Sequence, residues 1–556
     1  MGIRDSLRNV NTRTTEQSVQ ARADQVPNSA GGFVFKVDDL TRLRRFLTLG
    51  VEGGTFYVTE RQLTRDNAGI VLRLAATDPK LVVDEIVAIS VAGRAPRQNP
   101  ALFALAAVAG TADSAGRAYA LAHLGQVART GTHLATFAGY VQQFRGWGRA
   151  LRRAVGAWYL DKTPDALAYQ VLKYRNREGW THRDLLRKAH PETADAAKAK
   201  LFDYIAHKAK TEDAGEAYDL AGLPALVDAF EEAKTASPAR LVELIGAHPL
   251  SWEMLPAPAL DVPEVWEALL DQGMPITALM RQLPRLTRLG VLTGERRRAV
   301  ADRLSDAAAL VKGRVHPISV LVALRTYASG HGARGSGEWR PVAQIVDALD
   351  AGFYAAFAGV EPTGKRTLLA LDVSGSMTAS MGGMPLTARE ASAALALVTA
   401  RVEPDYEILG FTAKGGHSMV PAGGGRLRGL ETAISRLKIS PRQRLDDVLK
   451  AIWDLPFAGT DCALPMLWAS EYKVDVDTFV VYTDSETWAG DIHPYQALRQ
   501  YREKTGIPAK LVVVGMTSTG FSIADPNDAG MLDVAGFDAS VPGVISDFSA
   551  AEVRLA

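Results

Sequence analysis

The spacing of apolar residues changes once along this chain, near residue 360, and this change divides the chain into two kinds of fold. From Val37 to about Ala356, apolar side chains recur at positions i, i+3, i+4 and i+7, which is the pattern of one helix face. Short stretches rich in Gly, Pro or Asn separate these segments. Many helices joined by short connections predict stacked helix pairs, an all-α solenoid of the HEAT type.

After residue 361, short apolar runs alternate with helical stretches. The expected strands cover residues 367–372, 406–412, 478–483 and 511–515. The expected helices cover residues 386–399, 445–455, 463–471 and 494–504. Strands that alternate with helices predict a doubly wound α/β domain, in which helices cover both faces of a mostly parallel sheet. Ligands bind such sheets at the carboxyl ends of the strands.

Residues 1–30 differ from both regions because they are polar and lack apolar periodicity. We expect a disordered N-terminal arm over 1–30, a helical repeat domain over 31–358 and an α/β domain over 359–556. The N-terminus lacks the apolar run of a secretory signal, and no apolar run is long enough to cross a bilayer. The single cysteine, Cys462, excludes an internal disulfide and fits a reducing compartment. These features predict a cytoplasmic protein with no membrane partner.

Three oxygen-bearing side chains stand at alternate positions where the first expected strand ends. Asp372, Ser374 and Ser376 in "LDVSGSM" point the same way if the chain is extended. Thr460, before a helix, and Asp484, after another strand, fall at the same expected edge of the sheet. Two carboxylates and three hydroxyls suit a hard divalent cation such as Mg²⁺. The alternative is that the two serines only cap turns.

This order of residues, Asp-x-Ser-x-Ser followed by Thr and Asp, resembles the metal-ion-dependent adhesion site of von Willebrand factor A domains. The resemblance covers roughly residues 361–556. It implies that the hydroxyls of Ser374, Ser376 and Thr460 bind the cation directly. It also implies that the two aspartates bind it directly or through water, and that an acidic oxygen of a partner completes the coordination shell.

Charge is distributed unevenly, although the net charge of the chain is only +1. Residues 361–556 carry 18 basic and 24 acidic side chains, whereas residues 91–190 carry 15 basic and 5 acidic ones. A basic block of this kind is typical of surfaces that bind polyanions. The acidic surplus after residue 361 argues against the α/β domain as an RNA platform by itself.

Within the basic block, residues 172–190 predict two consecutive helices that each present a cationic stripe. Lys173 and Arg177 are four residues apart and share one face of the first helix, which Gly179 ends. Thr181 is the expected N-cap of the second helix, on which Arg183, Arg187 and His190 are expected to share one face. The expected RNA-binding residues are the basic side chains of these helices and of the preceding stretch, namely Lys173, Arg177, Arg183, Arg187, His190, Arg149 and Arg152. The alternative is a solvated surface whose charged groups remain in water.

Four longer stretches together resemble the Ro autoantigen family, the TROVE-domain proteins. They are "NSAGGFVFKVDDLTRLRRFLTLGVEGGTFYV" (28–58), "KYRNREGWTHRDLLRKAH" (173–190), "YASGHGARGSGEWRP" (327–341) and "GTDCALP" (459–465). The resemblance implies that the helical repeats of one chain close into a ring. It implies that Lys173, Arg177 and His190 bind a small noncoding Y RNA on the outer surface, and that the hole takes 3′ ends of misfolded RNAs. It also implies a 3′ exoribonuclease as a partner in RNA maturation or decay.

Three functions are compatible with these patterns. The first is a ribonucleoprotein scaffold that binds noncoding RNA and acts in RNA quality control. The second is a metal-dependent protein-interaction or chelatase-like module without RNA. The third is a metal-dependent hydrolase, which is disfavoured because a single Mg²⁺ site stands without a recognisable general base. We expect the first function and no enzymatic activity.

Overall fold

The computed structural model describes residues 14–551 except 52–54, 56–57, 333–336, 358–359, 382–384, 414–432, 438, 446, 449–451, 453–458 and 539. The first part of the expected arm, residues 1–13, lies outside the described residues. Most of the helix expected at 445–455 lies outside them as well.

Residues 39–355 are helical almost throughout, as the apolar spacing predicts. The helices are α1 (Asp39–Leu49), α2 (Glu60–Thr77), α3 (Pro79–Ala92), α4 (Asn99–Thr111), α5 (Ser114–Ala122), α6 (Leu124–Val127), α7 (Gly131–Phe144), α8 (Arg149–Leu160), α9 (Pro164–Lys173), α10 (His182–Ala189), α11 (Ala196–Asp213), α12 (Ala225–Ala233), α13 (Pro238–Ala247), α14 (Pro263–Asp271), α15 (Ile276–Arg288), α16 (Gly294–Ser305), α17 (Ala307–Lys312), α18 (Pro317–Ala328) and α19 (Ala343–Ala355). Many begin at a Ser, Thr or Asp whose side chain accepts a first-turn N–H, as Asp38 does from Thr41. Among the described helices, none combines the length and apolar composition that crossing a membrane requires. The predicted all-α region is confirmed.

The strands occur at the N-terminus, in one short hairpin and in the C-terminal domain. They are β1 (Gln25–Pro27), β2 (Phe33–Lys36), β3 (Asn176–Arg177), β4 (Trp180–Thr181), β5 (Thr367–Asp372), β6 (Tyr406–Phe411), β7 (Ile434–Arg436), β8 (Thr478–Thr483), β9 (Lys510–Gly515), β10 (Phe521–Ser522) and β11 (Met531–Ala535). The C-terminal helices are α20 (Ala388–Val402), α21 (Leu464–Glu471), α22 (Pro494–Thr505) and α23 (Val541–Ala550).

The C-terminal domain is built on a six-stranded sheet with the order β11-β9-β8-β5-β6-β7. Its neighbouring strands run parallel except for the antiparallel pair β6 and β7. The central strands β5, β8 and β9 are buried along their whole length, as expected for a parallel sheet covered on both faces. The predicted α/β domain is confirmed, whereas β7, β11 and α23 were not expected.

The segment before the helical region packs against the α/β domain. The strands β1 and β2 form a hairpin, and β2 also pairs antiparallel with β10. Gln17 is fully buried, and its backbone N–H donates to the Gly490 carbonyl oxygen at 2.9 Å. The disorder predicted for residues 1–30 therefore does not extend to residues 14–30. This segment lacks apolar periodicity because it adds polar hydrogen bonds and short strands to a domain formed elsewhere.

Both ends of the helical region contact the α/β domain. Near the first end, the guanidinium of Arg45 on α1 pairs with Asp533 on β11. Near the other end, the Nε of Arg325 on α18 lies 3.0 Å from a carboxylate oxygen of Glu390 on α20. The α/β domain therefore bridges the two ends of the helical region.

An early part and a late part of the helical region also contact each other. The Nε of Arg314 donates to the Val91 carbonyl oxygen at 3.0 Å, across 223 positions of the chain. Close by, the Nε2 of His316 lies 3.1 Å from the Arg94 carbonyl oxygen. The loop before α18 is therefore held against the end of α3.

Gly32 lies so close to the loop after β8 that a side chain has no space there. A Cβ atom at this position would lie 1.8 Å from the Thr487 carbonyl oxygen. We expect Gly32→Ala to destabilise the docked N-terminal segment by about 1–3 kcal/mol, because the backbone must move to relieve the overlap. Gly125→Ala is the matched control, because a Cβ there meets nothing within 4 Å. Equal melting temperatures for the two variants in calorimetry would contradict this docking.

Candidate metal centre and basic surface

The end of β5 places three side-chain oxygens close together. The Oδ1 of Asp372 accepts the backbone N–H of Ser374 at 2.9 Å, and its Oδ2 accepts the Thr483 hydroxyl at 2.6 Å. The hydroxyl oxygens of Ser374 and Ser376 lie 3.1 Å apart. The chain then turns into a short 3₁₀ helix, Gly375–Thr378, so the loop stays compact at the carboxyl edge of the sheet.

Asp484 and Thr460 join this site from two other loops. Asp484 follows β8, the neighbour of β5, and its carboxyl lies close enough to Asp372 and Ser376 for both to shift its pKa. The Thr460 carbonyl oxygen accepts the backbone N–H of Trp488 at 3.1 Å, which ties its loop to the segment after Asp484. The structure therefore brings Asp372, Ser374, Ser376 and Asp484 together and anchors the Thr460 loop beside them. All five side chains are buried.

The donor set fits a hard divalent cation. Among the described residues, the Oγ1 of Thr460 and the Oδ2 of Asp484 are buried without a hydrogen-bond partner. Burial raises the pKa of the Asp484 carboxyl to about 8, and the charges of Asp372 and Glu486 add to this effect. Burial also raises the pKa of Asp372. A bound Mg²⁺ would pair with the free oxygens and offset the clustered negative charge.

The described part of the chain offers no competing metal site of the zinc type. Within it, no group of three or more His, Cys, Asp and Glu side chains is arranged to hold an ion. The candidate centre differs in kind, because it has two carboxylates and three hydroxyls. Such an oxygen set favours Mg²⁺ over thiophilic metals.

Two buried side chains that support this centre were not expected from the sequence. The Nη2 of Arg389 on α20 donates to the carbonyl oxygens of Val373 and Ser374 and so holds the Asp-x-Ser-x-Ser loop. The Nε2 of Gln17 donates to the Oδ1 of Asp461 at 2.7 Å, next to Thr460. Neither residue belongs to a motif, and Gln17 lies 444 positions from its partner, so no local pattern could have identified them.

The basic block forms a surface on helices α8 and α10, which pack against each other. Arg149, Arg152 and Arg153 are exposed on α8, and Arg187 and Lys188 are exposed on α10. We call these five residues the basic surface. None of them forms an ion pair with a carboxylate in the described part of the chain. Their charges are therefore available to an anionic ligand.

Arg177 does not lie on the same helix as Lys173. Helix α9 ends at Lys173, and Arg177 lies in β3, which pairs with β4 in a short hairpin. The two loop residues of this hairpin, Glu178 and Gly179, have φ values of 51° and 74°. Two successive residues with positive φ suit a tight hairpin and cannot continue a helix. The predicted helix face shared by Lys173 and Arg177 is therefore wrong.

Lys173 is buried, with only 8% of its side chain exposed. Its ammonium group donates to the Tyr169 hydroxyl at 3.0 Å and lies 3.7 Å from a carboxylate oxygen of Glu253. Burial lowers the pKa of Lys173, but Tyr169, Tyr174 and Glu253 outweigh this and hold the pKa above its usual value. Lys173 is therefore a buried cation, and its predicted place on a solvent-facing stripe is wrong.

Helix α10 begins as predicted but ends before His190. Thr181 and Asp184 exchange hydrogen bonds in a capping box, which confirms the expected N-cap. Arg183 is half-buried and Arg187 is exposed. His190 is exposed but has a left-handed backbone with φ of 48°, so it does not continue the helical face of the two arginines.

Comparisons with known proteins match both regions of the chain. A family profile of the TROVE domain matches residues 26–247 and 244–325, and a profile of the Ro60 vWA domain matches residues 366–549. The chain is 41% identical over 557 residues to the RNA-binding protein RO60 of Deinococcus radiodurans, with 99% of this chain and 100% of that protein covered. It is 36% identical to the RNA-binding protein RO60 of Caenorhabditis elegans, with 96% and 92% covered.

A solved structure matches the fold as well. The crystal structure of the Deinococcus radiodurans RO (RSR) protein superposes with a TM-score of 0.67 at 41% identity, and covers 93% of this chain and 100% of that one. The matched vWA range contains the whole candidate metal centre. The chain therefore belongs to the Ro60 family of TROVE-domain proteins that carry a C-terminal vWA domain.

Proposed function

We propose that this chain binds RNA through the basic surface and serves as the scaffold of a ribonucleoprotein. The observation that carries the proposal is that Arg149, Arg152, Arg153, Arg187 and Lys188 are exposed and have no carboxylate partner among the described residues. RNA phosphates supply the counter-charge that these groups lack. The two similar proteins are both named RNA-binding protein RO60, which supports RNA as the ligand.

The RNA that we propose for this face is a small structured noncoding RNA of the Y RNA type. Cations on two packed helices form a rigid array, and proteins recognise folded RNA largely through its shape and its phosphates. Arg177 and His190 extend this array at the β3–β4 hairpin and at the end of α10. Lys173 supports this array from below the surface, where its ammonium donates to the Tyr169 hydroxyl and lies 3.7 Å from Glu253, so its charge is already paired.

We propose further that the helical region of one chain closes into a ring whose hole takes the 3′ ends of misfolded RNAs. The contact between Arg314 and Val91 supports closure, because it joins an early helix of the region to a late one. The bridging contacts of the α/β domain support it too. In this proposal the protein acts in the cytoplasm in RNA quality control, maturation or decay, together with a 3′ exoribonuclease.

The metal centre favours a second function, a metal-dependent contact with an acidic partner. Asp372, Ser374, Ser376, Thr460 and Asp484 would hold Mg²⁺, and a carboxylate of the partner would complete the shell. The unpartnered oxygens of Thr460 and Asp484 support this role. We propose no catalytic role for the cation. The contact would either recruit a protein to the ribonucleoprotein or operate without RNA.

The double variant Arg149→Ala, Arg152→Ala tests the RNA-binding surface. We expect it to weaken the binding of a structured RNA about tenfold at physiological salt. We also expect the slope of log K against log salt to become shallower by about 2, because each arginine that contacts a phosphate displaces about one counterion. Fluorescence anisotropy over a series of salt concentrations measures both quantities.

The matched control is Arg240→Ala, Arg436→Ala, which removes the same charge from exposed arginines that already pair with carboxylates. We expect its RNA affinity to equal that of the wild type. If both double variants lost the same RNA affinity, the loss would depend on net charge alone, and the assignment of the basic surface would be refuted. Wild-type protein that binds no structured RNA, but binds an acidic peptide in the presence of Mg²⁺, would favour the second function.

A further inference from the structure

A cavity of about 270 Å³ lies beside Lys173, between α9, the loop that follows α13 and the loop before α15. Much of its wall is apolar and includes Leu250, Leu269 and Met274. Its polar lining includes Ser251 and Glu253, both from the loop that follows α13. A cavity of this size is at the small end of the range for small-molecule sites and suits a single heterocyclic ring system.

Three consecutive residues of this cavity each leave a buried polar atom without a hydrogen-bond partner among the described residues. The atoms are Ser251 Oγ, Trp252 Nε1 and Glu253 Oε2. In the described part of the chain, one other run of three consecutive residues does the same, Asp484 to Glu486 at the candidate metal centre. An unpaired buried polar atom costs about 1–3 kcal/mol, so a cluster of them indicates a site whose ligand supplies the missing bonds.

The cavity also lies next to the residues proposed to bind RNA. The Lys173 ammonium is 5.2 Å from the centre of the Tyr169 ring and 5.6 Å from that of Tyr174. The guanidinium of Arg177 lies 5.8 Å from the centre of the Tyr174 ring. The Tyr174 ring therefore lies beside both Arg177 and Lys173, and Lys173 lines the cavity.

We propose that this cavity binds one unpaired guanine base of the RNA, an inference that rests on the proposed RNA-binding function. The carboxylate of Glu253 accepts the two N–H groups on the Watson–Crick edge of guanine. Trp252 Nε1 and Ser251 Oγ donate to its oxygen and ring nitrogen acceptors. Uracil has a single N–H on that edge, and adenine and cytosine lack the ring N–H. Guanine is therefore the base that satisfies a carboxylate acceptor and N–H and O–H donors together.

The test uses four fluorescently labelled pentanucleotides, UUGUU, UUAUU, UUCUU and UUUUU, which differ at the central base alone. We expect the wild-type protein to bind UUGUU at least about tenfold more tightly than the other three, since a bidentate base contact is worth about 1–3 kcal/mol. Glu253→Gln keeps the shape of the side chain but replaces one acceptor by a donor, so the preference should disappear. Because this change removes a negative charge, the affinity for UUUUU should not fall.

Trp252→Phe is a second variant, which removes only the N–H donor and should reduce the preference. If the wild type bound the four pentanucleotides equally, the proposed guanine site would be overturned. The proposal that the basic surface binds RNA would not be contradicted by that result. A preference for UUGUU that survives in both variants would also overturn the guanine site. If the wild-type protein bound none of the four pentanucleotides and no structured RNA, the proposed function itself would be overturned.

Guanosine monophosphate tests whether the cavity binds a base within RNA or a free nucleotide. It should compete with UUGUU at least about 100-fold more weakly than unlabelled UUGUU, because it lacks the flanking phosphates that contact the cations. Competition as strong as that of unlabelled UUGUU would indicate a site for free nucleotides and overturn the proposal that the base is part of RNA.

Discussion

Mg²⁺ is expected to raise the melting temperature of the wild-type chain and to leave that of Asp372→Asn unchanged. A ligand that binds only the folded state stabilises it by RT ln(1 + [L]/Kd), which is about 2.7 kcal/mol at one hundred times the Kd. Asp372 is fully buried at the centre of the site, within hydrogen-bond distance of Ser374 and Thr483. Asparagine keeps the shape of the side chain but removes the charge that attracts the cation. Calorimetry with EDTA and then with Mg²⁺ measures the shift.

The basal stability of Asp372→Asn should not fall steeply, because burial already disfavours the charged form of Asp372, whose pKa is raised. Asp475→Asn is the matched control, since Asp475 lies in the same domain with 63% of its side chain exposed. Its response to Mg²⁺ should equal that of the wild type. If Mg²⁺ raised the melting temperature of Asp372→Asn as much as that of the wild type, Asp372 would not be a ligand of the cation.

Arg45→Ala is expected to destabilise the contact between the helical region and the α/β domain by about 3–5 kcal/mol, because it leaves a carboxylate unpaired in a largely buried contact. The Arg45 side chain is 1% exposed. Its guanidinium donates to the carbonyl oxygens of Thr519 and Phe521 at 2.9 and 3.0 Å and pairs with Asp533. Thermal unfolding followed by circular dichroism measures the loss.

Arg73→Ala is the control for this loss. Arg73 pairs with Asp39 but is 58% exposed, so its removal should cost only about 0–1 kcal/mol. Asp533→Asn should partly rescue Arg45→Ala, because it removes the unpaired charge. Equal losses for Arg45→Ala and Arg73→Ala would show that the buried pair does not hold the two regions together.

The grouping of side-chain oxygens at the candidate metal centre could be predicted from the sequence because its signals are local. Asp372, Ser374 and Ser376 follow the alternation of a strand, and the carboxyl ends of neighbouring parallel strands meet at one edge. The strands predicted at 367–372 and 478–483 have the bounds that the structure gives to β5 and β8. The supporting residue Arg389 was missed because it acts through backbone carbonyl oxygens, which leave no trace in the spacing of side chains.

The basic surface was predicted in part. Charge density located the block, and Arg149, Arg152 and Arg187 are exposed as expected. The prediction from helical periodicity was wrong at Arg177. The helix was expected to continue to Gly179, but the chain forms a hairpin at Glu178 and Gly179 instead. Strand β11 was missed for a related reason, since its residues are mostly half-buried at the edge of the sheet and lack the continuous apolar run of a central strand.

Helical and strand periodicity, the order of the oxygen-bearing residues and the block of positive charge could all be read along the chain, since each depends on residues close in sequence. The sequence could not show which cations reach solvent. Lys173, for example, is paired with Glu253, which lies on a loop four helices further along the chain. The same holds for Gln17, whose polar side chain is buried by a loop from the opposite end of the protein. Burial and pairing depend on long-range contacts, and these exist only once the two regions have folded against each other.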